Sequence, residues 1–223
     1  MKKLMFAAFI LLGVIAAATG VHAGSGNAAG NAFIGIEYGS QDIEMKTEFI
    51  RRTGGAITEH SHFENPYTTS VGGIFAGYTI PYKRAYLSGR IFFNIFSDEF
   101  TLSVGSSHFV NELNYAYGID LMPGVYLYRG LSIFGKVGLG GGNFDFIKTS
   151  PTSTNYDVNT NLLSYTLGLG LAYDITQRFT AKIGYDRIQY DDTEHDSARG
   201  TRFDKTLVEP EAKSFYLSLQ YNF

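Results

Sequence analysis

Apolar and polar residues alternate with a period of two along most of this chain. Over residues 212–223 the apolar positions are Phe215, Leu217, Leu219, Tyr221 and Phe223, separated by Tyr216, Ser218, Gln220 and Asn222. Successive side chains of an extended strand point to opposite faces, so this spacing gathers all five on one side. Leu163, Tyr165, Leu167, Leu169, Leu171 and Tyr173 repeat the pattern against Ser164, Thr166, Gly168, Gly170, Ala172 and Asp174. So do Leu113, Tyr115, Tyr117, Ile119 and Leu121, and also Leu131, Ile133, Val137 and Leu139. Three noisier strands carry Leu87, Ile91, Phe93 and Ile95; Phe179, Ala181, Ile183 and Tyr185; and Ile34, Ile36 and Tyr38. Residues 69–79 mix Gly with apolar residues on both faces and complete a set of eight. Each predicted strand has about 9 to 14 residues, enough to cross a bilayer at a steep tilt.

The connections alternate in length. Three short turns fall near Ile80-Pro81-Tyr82-Lys83, Tyr128-Arg129-Gly130 and Ile175-Thr176-Gln177-Arg178, and four long loops span 44–68, 97–112, 144–161 and 190–211. An even number of antiparallel strands with tight turns on one rim and long loops on the other predicts an all-β, eight-stranded transmembrane barrel. Closure is required, because an open sheet edge finds no hydrogen-bond partner in lipid. Pro123 removes one donor from the fourth strand and is expected near the short-turn end, where a bulge or the water interface absorbs the loss.

A soluble lipocalin-like barrel also alternates, so the chemistry of each face has to decide. A soluble barrel covers its exterior with charge. Here the polar face is mostly Gly, Ser, Thr and Asn with one or two charges per strand, whereas the apolar face is almost uncharged. A Lys or Arg on a lipid-facing position at the midplane would cost roughly 2–4 kcal/mol. Tyr82, Tyr126, Tyr128, Tyr173, Phe179 and Phe223 crowd the strand ends, where rings favour the membrane–water interface.

Composition narrows the function classes. With 18 Phe, 16 Tyr and 44% hydrophobic residues the chain has ample surface to bury, which excludes disorder. The absence of Cys excludes a disulfide framework, a zinc ribbon and a cysteine nucleophile. A net charge of −3 leaves no basic footprint for nucleic acid. Residues 1–23 read as a signal peptide: Lys2 and Lys3, an apolar stretch over 4–18, then Val21-His22-Ala23. The rival reading, an uncleaved membrane helix, has a short apolar run and no basic stop-transfer cluster. The barrel domain then occupies 24–223.

The stretch from Tyr115 through Leu131-Ser132-Ile133-Phe134-Gly135-Lys136-Val137-Gly138, and on to residues 165–190, resembles the OmpA-type outer-membrane barrel family. Phe215, Leu217, Leu219, Tyr221 and Phe223 resemble the C-terminal signal read by the outer-membrane assembly machinery. The resemblance implies residence in the outer membrane of a Gram-negative bacterium, a monomer, and contact with outer-membrane lipid and lipopolysaccharide. The chain stops at Phe223, so the peptidoglycan-binding domain of full-length OmpA-like proteins, and its tether to the cell wall, are not expected.

Seven charges fall on the face expected to point inward: Glu37, Arg90, Asp120, Lys136, Asp174, Lys182 and Asp186. Glu37, Arg90 and Lys136 lie about equally far from the short-turn rim and could form one layer. Opposite charges in a confined interior pair, because an unpaired one is costly. The family resemblance implies that such clusters plug the lumen, with a gated low-conductance path as the alternative. His60, His62, His108 and His195 fall in long loops, where two neighbouring histidines make a weak metal site, so neither metal nor cofactor is expected. His195-Asp196-Ser197 has the residue types of a triad without its geometry, so no catalytic residue is assigned and a lipid-modifying enzyme ranks last. Arg51 and Arg52 could meet lipopolysaccharide phosphates. The favoured role is structural or surface-interacting, with an extracellular ligand engaged through the loops.

Overall fold

Every element described is a β-strand, and the strands pair antiparallel with their neighbours in a ring. The computed structural model describes residues 30–97, 99–104, 107–149, 156–199 and 202–223; the signal-peptide reading of residues 1–23 lies outside them. The strands are β1 (Asn31–Thr53), β2 (Ala56–Tyr82), β3 (Ala85–Phe96), β4 (Glu99–Val104), β5 (Ser107–Tyr128), β6 (Leu131–Thr149), β7 (Tyr156–Asp174), β8 (Phe179–Tyr190), β9 (Thr193–Arg199) and β10 (Arg202–Asn222). They make eight staves, because β4 continues β3 alongside β5 and β9 continues β8 alongside β10. The β1–β10 pairing closes the ring, running from Phe33↔Asn222 to Thr53↔Arg202.

Turn chemistry fixes the hairpins. Arg129 and Gly130 both take positive φ (39° and 85°) between the paired residues Tyr128 and Leu131. Two consecutive positive φ values give the twist that matches flanking strands in a two-residue hairpin. Gly54 and Gly55 do the same at the other rim, with φ of 60° and 88° between Thr53 and Ala56. Pro123 pairs with Leu87 near the short-turn rim, and the β5–β6 register is unchanged across it, from Leu121↔Val137 to Gly124↔Phe134.

The strands are longer than their apolar faces. β1 and β2 run 23 and 27 residues, and the segments expected as long loops are for the most part strand. The polarity of the two faces inverts along the way. In the lower part of β1, Ile36 and Tyr38 are exposed while Glu37 and Gln41 are buried; higher up, Asp42 is exposed while Ile43 and Met45 are buried. The lower zone is the lipid band, with an apolar exterior that includes Leu163, Leu167, Leu169, Leu217 and Ile119. The upper zone has an apolar interior and a polar exterior, as a barrel in water requires.

Above the lipid band the ring divides. Val71↔Phe96 and Ser164↔Tyr190 are the uppermost pairs of β2–β3 and β7–β8. Beyond them β9, β10, β1 and β2 continue as one four-stranded flap, and β4, β5, β6 and β7 as another. Ile43, Met45, Val208 and Ala212 of the first pack with Leu113, Phe144 and Leu162 of the second and with Tyr190, all buried. Leu113 corrects the sequence reading, which set it on the outer face with Tyr115. The register shifts between Leu113 and Tyr115, and this irregularity turns Leu113 inward, 1% exposed.

Candidate functional site in the barrel lumen

The lumen within the lipid band holds a layer of buried charge. Arg90 on β3 and Asp120 on β5 are directly paired in register, and Arg90 Nε donates to Asp120 Oδ2 at 2.7 Å. Its Nη1 donates to Glu37 Oε2 on β1 at 2.6 Å. On the far wall Lys136 of β6 donates to Asp186 Oδ2 of β8 at 2.6 Å, and its Nζ lies 4.0 Å from Asp120 Oδ2. Five of the seven inward charges therefore make one chain across the lumen, Glu37–Arg90–Asp120–Lys136–Asp186. Glycine opposite a carboxylate makes room for it: a Cβ at Gly168 would overlap Asp186 Oδ1, and one at Gly138 would overlap Asp120 Oδ1.

Aromatic rings line the same layer. The Arg90 guanidinium lies 4.9 Å from the Phe75 ring centroid and 5.6 Å from that of Phe92, and Lys136 Nζ lies 4.1 Å from that of Tyr216. Cation–π contact of this kind stabilises a desolvated cation. The sequence reading missed Phe75 and Phe92 because they sit in segments whose apolar residues fall on both faces, and it placed Tyr216 on the polar face of its strand without giving it a role.

The other two charges lie apart, toward the short-turn rim. Lys182 is buried with its Nζ 5.3 and 5.9 Å from the Phe33 and Phe134 rings. Asp174 accepts a 2.7 Å hydrogen bond from Thr180 Oγ1. Asn222 Nδ2 donates to the same Thr180 Oγ1, at 3.1 Å.

Apolar clusters stand on both sides of the layer. Above it is the core shared by the two flaps. Below it Phe33, Phe75, Met122, Phe134 and Ala172 pack together, with Tyr86 and Phe92 against them. The cavity beside the layer, lined by Glu37, Arg90, Asp120, Lys136 and Asp186 among others, is small, about 30 Å³.

The remaining candidates are on the outside. His60 and His62 are exposed on β2; His60 Nε2 lies 2.7 Å from Glu48 Oε1, and His62 Nε2 lies 3.5 Å from Glu64 Oε1. Each histidine meets a carboxylate instead of the other histidine. Among the described residues, no three His, Asp or Glu side chains gather into a metal-binding group. Arg52 is exposed at the tip of the β1–β2 hairpin; the side chains of Arg51, His108, His195, Asp196 and Ser197 lie outside the described ones. Phe215, Leu217, Leu219 and Phe223 are exposed and Tyr221 half-buried, on the lipid face of β10 and at its end.

Residues 6–223 match the family model described as the outer membrane protein beta-barrel domain. Among solved structures, OprG from Pseudomonas aeruginosa is similar at a TM-score of 0.53 and 13% identity, over 86% of this chain and 96% of that one. The N-terminal β-barrel domain of OprF from Pseudomonas aeruginosa gives 0.39 and 16%, over 83% and 99%. Ail of Yersinia pestis, in complex with the heparin analogue sucrose octasulfate, gives 0.36 and 16%, over 83% and 99%. At 13% identity the likeness to OprG is one of fold. No curated protein matches the chain.

Proposed function

The chain belongs to the outer-membrane β-barrel domain family and resides in the outer membrane of a Gram-negative bacterium, and on that premise we propose that it is a closed anchor presenting two strand-built flaps for interaction at the cell surface. One observation carries this reading: the charge layer is sandwiched between two apolar clusters in the same lumen. An ion moving along the axis would have to leave the pairs and cross buried Phe, Leu and Met side chains, which solvate it poorly. The flaps support the same reading, because they carry the polar exterior and the open strand edges that extended partners pair with. The apolar alternation ending on Phe223 serves as the address for the assembly machinery.

The test has two arms. In planar bilayers the purified protein is expected to show no discrete conductance. In cells, replacing residues 46–64 with a two-residue turn is expected to abolish adhesion to coated surfaces while the protein keeps its heat-dependent gel shift. Conductance steps, or adhesion unchanged by the deletion, would overturn the proposal. The second reading, a gated narrow path, is favoured by the cavity beside the charge layer and predicts steps that change on Lys136→Ala or Glu37→Ala.

A further inference from the structure

The outer face of β5, β6 and β7 carries a cluster of carboxamides where the lipid band ends. Asn143 on β6 is directly opposite Tyr115 of β5 and Asn161 of β7, and it is 4% exposed although it sits on the outer face. Its Nδ2 donates to Asn159 Oδ1 at 2.9 Å and Asn161 Oδ1 at 3.2 Å; its Oδ1 accepts from Asn159 Nδ2 at 3.2 Å and Asn114 Nδ2 at 3.3 Å. Asp145 accepts from Asn114 at 2.7 Å and also from Asn159. Asn143 thus spends both N–H groups and both lone pairs within the cluster, and so holds its neighbours in fixed orientations. The Nδ2 of Asn161 and the Oδ1 of Asn114 have no partner among the described residues and are left for something outside the protein.

Position says what that is. Leu163 lies directly below Asn161 on β7, and Leu139 lies below Asn143 on β6 with Gly141 between them; both leucines are exposed and lipid-facing. Tyr117 is exposed beneath the cluster, with its ring 6.4 Å from that of Tyr115, which stacks in turn on Phe93 at 5.8 Å. The layer outside the protein at this height is that of the outer-leaflet headgroups. Other staves end their lipid band differently, on Arg187 in β8 and Lys213 in β10, and the Arg187 Nε is taken by Glu211 at 2.6 Å. Among the described side chains the carboxamide sector carries no cation, so its chemistry suits hydroxyl groups and not phosphate. Fixed amides and a carboxylate supply paired donors and acceptors for vicinal hydroxyls, and tyrosine rings supply a flat apolar surface for the sugar's C–H face.

We propose that Asn114, Asn159, Asn161 and Asp145, organised by Asn143 and floored by Tyr115 and Tyr117, bind the saccharide headgroup of an outer-leaflet glycolipid. The proposal rests on the membrane placement and is independent of the flap function. The refolded full chain in detergent micelles is exposed separately to rough lipopolysaccharide, to its dephosphorylated form and to phosphatidylglycerol, and retained lipid is weighed by native mass spectrometry. The wild type is expected to retain both glycolipids and to release phosphatidylglycerol. Asn161→Ala, which leaves the rest of the cluster bonded, is expected to lower glycolipid retention about fivefold, the worth of one net hydrogen bond; N159A/N161A lowers it further. Equal retention by wild type and Asn161→Ala, retention of the phosphorylated form alone, or equal retention of phosphatidylglycerol would each overturn the proposal.

Discussion

Arg90 and Asp120 face each other in register across β3 and β5, joined Nε to Oδ2 at 2.7 Å with both residues buried. The geometry makes Arg90 the hinge of the charge layer, because it also holds Glu37. Removing one partner from a buried charge group leaves the rest uncompensated and costs about 3–5 kcal/mol, whereas replacing the group with apolar or neutral residues is often neutral. Arg90→Ala is therefore expected to lower the unfolding free energy by that amount and to shift the urea midpoint down accordingly. The triple variant Arg90→Met, Glu37→Gln, Asp120→Asn should recover most of it. Equal midpoints for Arg90→Ala and wild type would show that the layer is not structural.

Phe144 is fully buried where the two flaps meet, edge-on to Tyr190 with ring centroids 5.0 Å apart. Truncating a core Phe typically costs 3–5 kcal/mol, with the spread set by how far the site collapses. Phe144→Ala is expected to raise amide exchange in the upper strands while leaving the strands in the lipid band protected. Uniform exchange from rim to rim would mean that the flaps and the membrane barrel open as one unit.

Much of this fold was legible because lipid imposes a one-sided rule on every crossing strand. Leu163 to Tyr173 of β7 and Phe215 to Phe223 of β10 obey it without interruption. The upper strands were hidden by the inversion of that rule. On β1 the inward positions pass from Glu37 and Gln41 to Ile43 and Met45 while the outward ones pass from Tyr38 to Asp42, so the alternation breaks where the environment changes and not where the strand ends. Leu113 was misplaced for a local reason, since an irregularity at Asn114 leaves no periodic trace. In the lumen, the inward residues could be read but their partners could not. Whether Lys136 meets Asp186 and Lys182 meets the Phe33 and Phe134 rings depends on stagger between strands, which no single strand encodes. The carboxamide cluster escaped notice because Asn114, Asn143 and Asn161 come together only through the register of three strands.

Phe223 is exposed at the end of β10, with Tyr221 edge-on at 5.2 Å. If this ring is read during assembly, Phe223→Ala should leave less folded protein in the outer membrane yet refold normally from urea into detergent. A matching loss in both settings would assign the ring to stability instead.

The lipid-facing exterior tolerates no charge. Leu169 is 62% exposed in the lipid band, and Leu169→Arg should destabilise the barrel in bilayers by roughly 2–4 kcal/mol. The same substitution at Asp42, exposed above the band, removes the hydrogen bond that Asp42 accepts from Thr68 and should cost no more than about 1 kcal/mol. Similar effects at the two positions would argue against a band between them.

The claim beneath all of these is that the apolar face of the staves touches lipid chains while the polar face is closed inside. The chain contains no cysteine, so a single cysteine at Leu169, exposed on the outer face, can carry a small fluorophore, whereas one at Thr166, buried on the inner face, has no room for a label in the filled lumen. In vesicles of lipid brominated along the acyl chain, the label at Leu169→Cys should be strongly quenched, and Thr166→Cys should resist labelling in the folded protein. A bright label at Leu169, or ready labelling at Thr166, would contradict the barrel described here.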